Sequence, residues 1–240
     1  MDDQDSNTPP CQDQPSRSGR LTALLESARN GFAALGENID QGRVPQALAN
    51  LETWLAGERY APARAAIHDM LAQGRFDEIF DSFYAPLKFG TGGRRGLVGI
   101  GPNRINAWTI RESVKGHIDF LFAEYGAETV RARGVVGAGD VRCYPNIQEK
   151  PGWGVFPAAS PVFQLTSIDI GKIAAEVYAA HRIPVWLFDE PRTTPELSIL
   201  TQRLGEFLNR RDRQGGVINP VAGFVLTSSH NQPWYNGIKF

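Results

Sequence analysis

Apolar residues recur along the chain in two rhythms, and the change between them divides it. From Leu21 to about Leu87 the spacing is three and four residues. Leu48, Leu51, Trp54 and Leu55 share one helical face. Ala66, Ile67, Met70 and Leu71 share another, in a helix that can start at Pro62, and Phe76, Ile79, Phe80 and Phe83 continue the period. Such stripes are ordinary helical core. Past residue 88 the rhythm breaks. Phe89–Gly101 holds six glycines in thirteen positions and reads as loop rather than helix. Ile110, Val114, Ile118, Leu121 and Tyr125 then mark a helix, and Val135-Val136 opens a short buried strand running into Gly137-Ala138-Gly139-Asp140. Residues 143–166 mix Pro, Gly and aromatics without a period, as an inserted surface loop does. Ser167 is placed to cap a helix with Ile170, Ile173, Ala174 and Val177 inward. Ile183–Phe188 is a strand, and Thr194-Pro195 is a cap with proline at the first helical position. Leu197, Leu200, Leu204, Phe207 and Leu208 form that helix's apolar face, and Val221–Leu226 is a third strand.

The order is β-α-β-α-β, which predicts an α/β fold: a mixed or parallel sheet flanked by helices, joined by right-handed crossovers and preceded by an α-helical N-terminal extension. The expected divisions are a tail at 1–20, the helical extension at 21–87 and the α/β unit at 88–240. The tail is Asp-, Gln-, Ser- and Pro-rich, too poor in large apolar groups to offset ordering entropy, so it is expected to be disordered. In such sheets ligands bind beyond the carboxyl ends of the strands, which directs attention to the loops after Gly139, Phe188 and Leu226.

Composition narrows the classes. Of 240 residues, 42% are apolar, enough for a sizeable core, and 25 basic against 26 acidic residues give a net charge of −1. That balance supplies no global attraction to nucleic acid or an anionic membrane. Cys11 and Cys143 do not make a disulfide framework. The acidic N-terminus has no signal-peptide pattern and no stretch approaches a membrane span, so a soluble cytoplasmic protein is the expectation. Nothing in the pattern fixes an oligomeric state.

Two loops carry chemistry-bearing residues. Thr227-Ser228-Ser229-His230-Asn231-Gln232-Pro233 follows the third strand and is trailed by Asn236-Gly237-Ile238-Lys239. Hydroxyls, an imidazole and a lysine this close together suit a nucleophile and anion binding through backbone amides. Asn236-Gly237 is a hairpin signal, predicting that the chain turns back and brings Lys239 towards Ser229. Composition alone favours a plain polar turn between two strands. Phe89-Gly90-Thr91-Gly92-Gly93-Arg94-Arg95-Gly96 combines backbone access with two arginines that can grip phosphate. It lacks the Gly-Lys-Ser/Thr ending of a P-loop, and a flexible basic connector remains its alternative. Gly137-Ala138-Gly139 is not a dinucleotide fingerprint, because Arg142 stands where the third glycine belongs, so Asp140 and Arg142 read as a local ion pair. His68, His117 and His181 sit on helical stretches without metal-ligand spacing and read as surface or interface residues.

Taken together, these landmarks resemble the α-D-phosphohexomutases. Thr227-Ser-Ser-His-Asn is similar to that superfamily's phosphoserine loop, usually Thr-Ala-Ser-His-Asn-Pro, and Asn236-Gly237-Ile238-Lys239 to the segment after it. Phe89–Gly96 resembles its Phe-Gly-Thr-Ala-Gly-Leu-Arg-Gly opening, and Asn103-Arg104-Ile105-Asn106 its Asn-Arg-Met-Asn. Val135–Arg142 resembles its Asp-x-Arg turn, and Thr193-Thr194-Pro195 its Thr-Pro helix start. The extension with Trp54-Leu55 is similar to the phosphoglucomutase/phosphopentomutase branch. Departures are Ser228 for alanine, Gln232 for proline, Gly92 and Arg94 for Ala and Leu, and the 143–166 insertion. The superfamily's Asp-Gly-Asp-x-Asp-Arg metal loop, sugar loop and second phosphate loop have no counterpart in 1–240, so 88–240 is expected to be domain I, incomplete at its C-terminus.

The resemblance implies a phosphotransferase that interconverts hexose 1-phosphate and 6-phosphate through a hexose bisphosphate intermediate in the full-length protein, with no turnover by these residues alone. It implies Ser229 as the phosphorylated residue, with Arg95, Lys239 and His230 around it, and Mg²⁺ bridging the Ser229 phosphate to acids outside this sequence. Two readings from other classes stand beside it. One is a truncated, non-catalytic phosphosugar-binding or regulatory module. The other is a serine hydrolase using Ser229 and His230, weakened because adjacent residues rarely present side chains to each other and no third orienting group is evident.

Overall fold

The computed structural model describes residues 16–90, 92–144, 149–150, 154–155 and 161–240. Four helices come first: α1 (Arg17–Leu35), α2 (Val44–Ala56), α3 (Arg64–Ala72) and α4 (Phe76–Phe83). The expected stripes are their buried faces, with Leu51, Trp54, Ala66, Ile67, Ile79 and Phe83 almost fully enclosed. α1 begins inside the stretch expected to be a disordered tail. Ser16 caps it by accepting from the Gly19 amide, so residues 17–20 form its first turn; residues 1–15 lie outside the described set.

β1 (Gly93–Leu97) corrects the expectation of a loop over 89–101. Its glycines permit close strand contact: a Cβ on Gly93 would sit 2.1 Å from the Ile238 carbonyl oxygen. Three further elements follow: α5 (Ala107–Tyr125), α6 (Ala127–Arg133) and β2 (Val135–Gly139). Asn106 starts α5 by accepting from the Trp108 and Thr109 amides, while its own amide donates to the Gly99 and Gly101 carbonyls at 2.9 and 2.8 Å. One buried side chain thus caps a helix and folds the glycine-rich segment before it.

Within the 143–166 insertion the described part includes a two-residue pair, β3 (Glu149–Lys150) with β4 (Gly154–Val155); the rest of that expectation falls largely outside the described residues. α7 (Ser167–Ala180), β5 (Val185–Leu187), α8 (Thr194–Phe207), β6 (Ala222–Leu226) and β7 (Tyr235–Lys239) complete the chain. The caps of α7 and α8 are Thr166 and Thr193, one residue earlier than expected, each in a reciprocal box with Asp169 or Glu196. Leu197 and Leu204 are buried as expected, but Phe207 and Leu208 at the end of α8 are exposed.

The five-stranded sheet runs β1-β7-β6-β2-β5. β5, β2 and β6 are parallel, β7 lies antiparallel to β6, and β1 antiparallel to β7, so the sheet is mixed. Alternation along β2 and β6 separates the faces. Val135, Phe224 and Leu226 pack with Ile170, Ala174 and Tyr178 of α7, while Val136, Ala138 and Val225 pack with Leu197 and Leu204 of α8. β2 therefore sits where the crossovers change side, with both neighbours parallel to it.

The N-terminal helices share the core of the α7 face. Trp54 stacks on Tyr60 at 4.2 Å and meets Trp108 of α5 edge-on at 5.0 Å. Arg104, 2% exposed, pairs with Asp81 of α4 at 2.7 Å. The expected extension is thus welded to the α/β unit.

Candidate functional site

The parallel strands bring their carboxyl ends together as the topology rule requires. The Asp140 amide donates to the Leu226 carbonyl at 3.0 Å, and the Arg192 amide to that of Gly139 at 3.0 Å. The loops after β2, β5 and β6 therefore meet at one edge, around a cavity of about 390 Å³ lined by Asp140, Val141, Arg192, Thr193 and Thr227 among others. A neighbouring cavity of about 420 Å³ shares Thr194 and Val225 with it and continues along α8 past Ser198 and Thr201 to Lys239. A larger, mostly apolar cavity of about 620 Å³ lies against α5, lined by Phe89, His117, Phe120 and Phe240. None of Ser229, His230, Arg95 and Lys239 lines it; of the four, Lys239 lines the cavity along α8, and Ser229, His230 and Arg95 line none of these three.

The loop after β6 separates its two serines. Ser228 is fully buried and its hydroxyl receives the Asn231 side-chain amide at 3.1 Å. Ser229 is exposed, as is His230. The Ser229 amide donates to the Thr227 hydroxyl at 3.0 Å, and the Asn231 amide to the Ser228 carbonyl at 3.1 Å. Ser229 holds a left-handed backbone, φ 57°. Among the described residues two other non-glycines do so, Arg182 and Asn209, and both follow a helix end, where such a residue is an ordinary terminator. Ser229 closes no helix. Its conformation costs about 1–2 kcal/mol and presents the side chain outward from the tip of the loop.

The two arginines of the glycine-rich segment part company. Arg94 turns to the α5 face, donating to the Thr109 carbonyl at 3.3 Å with Glu112 at 3.7 Å. Arg95, one residue on, takes the α8 face. β1–β7 pairing sets Arg95 opposite Gly237 and Gly93 opposite Lys239, so Arg95 and Lys239 are diagonal neighbours with glycines at the other two corners. A Cβ on Gly237 would meet Arg95 Cγ at 2.8 Å, so the arginine lies over the bare backbone of β7. The Thr227 amide donates to the Gly237 carbonyl at 2.9 Å, which puts Thr227, Gly237 and Arg95 in one row across three strands. Strand spacing makes that row about 10 Å wide, within reach of an arginine crossing a glycine. Lys239, opposite Val225, is two pairs further from the loop than Arg95, on the same face. Partial burial, and next the Arg95 guanidinium, hold its ammonium below the usual lysine range.

The structure thus joins Arg95 with Lys239 on the face where Thr227 leads into Ser229, and leaves His230 at the exposed tip. The expected hairpin is displaced. Asn236-Gly237 lies within β7, and the reversal occurs over 228–234, because Asn236 is held inside by Ser167 and Gly237 is needed flat against β1.

Sequence reading set Asp140 and Arg142 aside as a local ion pair. They do pair, but Arg142 Nη2 also donates to the carbonyls of Ser229 at 3.1 Å and Asn231 at 2.8 Å. Asp140 in turn accepts from the Ser167 hydroxyl at 2.7 Å, and Ser167 accepts from Asn236 at 3.1 Å. No local signal joins these residues, which sit on four separate stretches. His117, expected as a surface or interface residue, is half-buried: it stacks on Phe240 at 4.1 Å and shares a hydrogen bond with the Tyr178 hydroxyl at 2.6 Å.

Among the described residues no cluster of three or more His, Cys, Asp or Glu is arranged to hold a metal. The carboxylate nearest the loop in the hydrogen-bond network, Asp140, is engaged by Arg142 and Ser167. Those residues do not by themselves fit Mg²⁺.

Comparison with known proteins agrees with this geometry. Residues 164–240 match the family model described as phosphoglucomutase/phosphomannomutase, alpha/beta/alpha domain I. A phosphoglucomutase of Staphylococcus aureus (strain bovine RF122 / ET3-1) is 32% identical over 159 residues, 66% of this chain and 21% of that protein. The phosphoglucomutase of strain USA300 is 31% identical over the same shares. The chain spans about a fifth of the length of these relatives. No solved structure matches it. The mixed sheet, the Thr-Ser-Ser-His-Asn loop at the end of β6, a domain I match over residues 164–240 and the similarity to phosphoglucomutases over 159 residues together support a likeness to the N-terminal part of the α-D-phosphohexomutases.

Proposed function

We propose that residues 88–240 are the phosphoserine-bearing domain of a phosphosugar mutase that interconverts hexose 1-phosphate and hexose 6-phosphate through a bisphosphate. One observation carries the choice of residue: Ser229 is exposed in a left-handed backbone at the carboxyl edge of the sheet, while Ser228 beside it is buried and hydrogen-bonded.

In this reading a hexose bisphosphate occupies the joined cavities along α8. Ser229 Oγ attacks one phosphate. The sugar O–P bond breaks as the Oγ–P bond forms, the serine proton leaves to a base, and a proton returns to the sugar oxygen. The reverse transfer delivers the phosphoryl group to the other hydroxyl. Phosphoryl transfer asks mainly for positioning and neutralised charge. A phosphoserine brings a charge of about −2 near neutral pH. Arg95 answers it as a fixed cation crossing Gly237, and Lys239 both adds charge and, with its lowered affinity for a proton, can exchange one. His230, at the exposed tip, meets the phosphate from the solvent side. Mg²⁺ would add further neutralisation when held by groups additional to these, and no step here is routed through it.

The test is incubation of the purified full-length protein with a hexose 1,6-bisphosphate, followed by intact mass and peptide mapping. Phosphate on Ser229, abolished by Ser229→Ala, is expected. Phosphate confined to Ser228 would show that the wrong serine has been chosen.

A further inference from the structure

The left-handed backbone of Ser229 needs an agent that holds it, since no helix end imposes it. The turn's internal bonds, from the Ser229 amide to Thr227 and from the Asn231 amide to Ser228, fix the inner side of the loop. Its outer side is held by one residue 87 positions away in sequence. We propose that Arg142 is a positioning residue for the reactive serine: it pins the carbonyls of Ser229 and Asn231 while Asp140, steadied by Ser167 and Asn236, fixes the guanidinium in place.

Distances and burial support each link. Arg142 is nine-tenths buried, and Nη1 faces Asp140 while Nη2 reaches both loop carbonyls. The Arg142 amide also donates to Asp140 Oδ1 at 3.1 Å, so the two residues form a closed turn at the end of β2. Asp140 Oδ1 accepts from Ser167, whose hydroxyl is free for this because Thr166, not Ser167, caps α7. Asn236 of β7 completes the line, itself fully buried. The chain of contacts runs from β7 through α7 to the turn after β2 and ends on the loop after β6. All four elements must be docked before Ser229 takes its conformation.

Charge is not what Arg142 contributes. With Asp140 beside it the pair is close to neutral, which leaves the phosphate's charge to Arg95 and Lys239. Its contribution is the planar fork, which spans an acid and two carbonyls at once; a lysine ammonium has the charge without that geometry. This proposal rests on the reading of Ser229 as the phosphorylated serine, but its structural half can be tested without it.

The 240-residue chain, labelled with ¹⁵N and ¹³C, is compared with Arg142→Met, Arg142→Lys and Ser167→Ala. Ser229 Cα and Cβ shifts report the left-handed backbone, amide exchange at Ser229 and Asn231 reports loop opening, and mass spectrometry of the full-length protein with the same substitutions follows phosphate uptake from a hexose 1,6-bisphosphate. Both Arg142 variants should lose the left-handed signature and exchange those two amides at least about tenfold faster, with β2, β6 and α7 keeping wild-type protection. Ser167→Ala, one hydroxyl smaller, should move the same two amides less. If neither Arg142 variant folds, Ser167→Ala decides: faster exchange confined to the loop supports the role, and unchanged exchange overturns it. Wild-type shifts and exchange in a folded Arg142→Met protein would also overturn it, as would phosphate uptake at an unchanged rate. A full-length wild-type protein that takes no phosphate on Ser229, when the loop still loosens on replacement of Arg142, would overturn the phosphoserine reading alone.

Discussion

Lowering the pH to about 5 should destabilise the fold through one partly buried histidine. His117 lies between the Phe240 ring and Tyr178, and its Nδ1 shares a hydrogen bond with the Tyr178 hydroxyl. Burial pushes its pKa from 6.5 to about 4. Burial also holds the Tyr178 hydroxyl well above its ordinary value, so it stays protonated. Arg94 and Glu112 line the same cavity but lie 3.7 Å apart and largely cancel. Because the folded pKa is depressed, the unfolded chain takes the proton first. The contribution is complete above pH 6.5, erodes as pH falls below it, and levels off near pH 4. At 1.36 kcal/mol per unit the ceiling is about 3 kcal/mol, and the loss between about pH 7.5 and pH 5 is about 2 kcal/mol. Carboxylates do not confuse this window. Asp169, held at about 2 chiefly by Lys172 and also by Thr166, loses its contribution only in more acidic solution. Glu58 and Glu196, also lowered, have ordinary values of 4.5 and titrate below the window. Urea unfolding across that range should show wild type losing about 2 kcal/mol more than His117→Phe, which keeps a stacked ring and cannot titrate. Parallel profiles would refute the reasoning, and would mean that the imidazolium finds compensation by donating to the Tyr178 oxygen.

Other outcomes follow from the same structure. Trp54→Ala should cost about 3–5 kcal/mol and leave a single unfolding transition, because Trp54 packs between the N-terminal helices and Trp108; a separate early transition of 16–87 in denaturant would show two units. Gly237→Ala should destabilise by about 1–3 kcal/mol, since its Cβ would lie 2.3 Å from the Arg94 carbonyl oxygen; a normal melting curve would contradict the β1–β7 packing. If Lys239 exchanges a proton, Lys239→Arg in the full-length protein should slow phosphate uptake by roughly 10²–10⁴-fold, and Arg95→Lys by less, with ligand binding measured alongside; near-normal uptake by Lys239→Arg would leave that residue an electrostatic role only.

Much of this protein was determined by the order of its residues alone. The helical stripes, the three parallel strands and the carboxyl-edge loops depend on local periodicity and on chirality rules that hold wherever such segments occur. Ser229, Arg95 and Lys239 stand out as candidates because their loops are dense in glycines and hydroxyls, and the resemblance to a family chose among them. Tertiary structure decided what depends on pairing between distant segments. β1 was hidden because glycines have poor strand propensity, and only the antiparallel contact with β7 makes their bareness useful. Asn236-Gly237 has the local chemistry of a turn, but burial of Asn236 against Ser167 and the close approach of β1 override it. The separation of Arg94 from Arg95 follows from the two-residue alternation of a strand that had not been recognised. The reach of Arg142 to Ser229 exists only once β2 and β6 lie side by side, because a hydrogen bond across 87 residues leaves no trace in local composition.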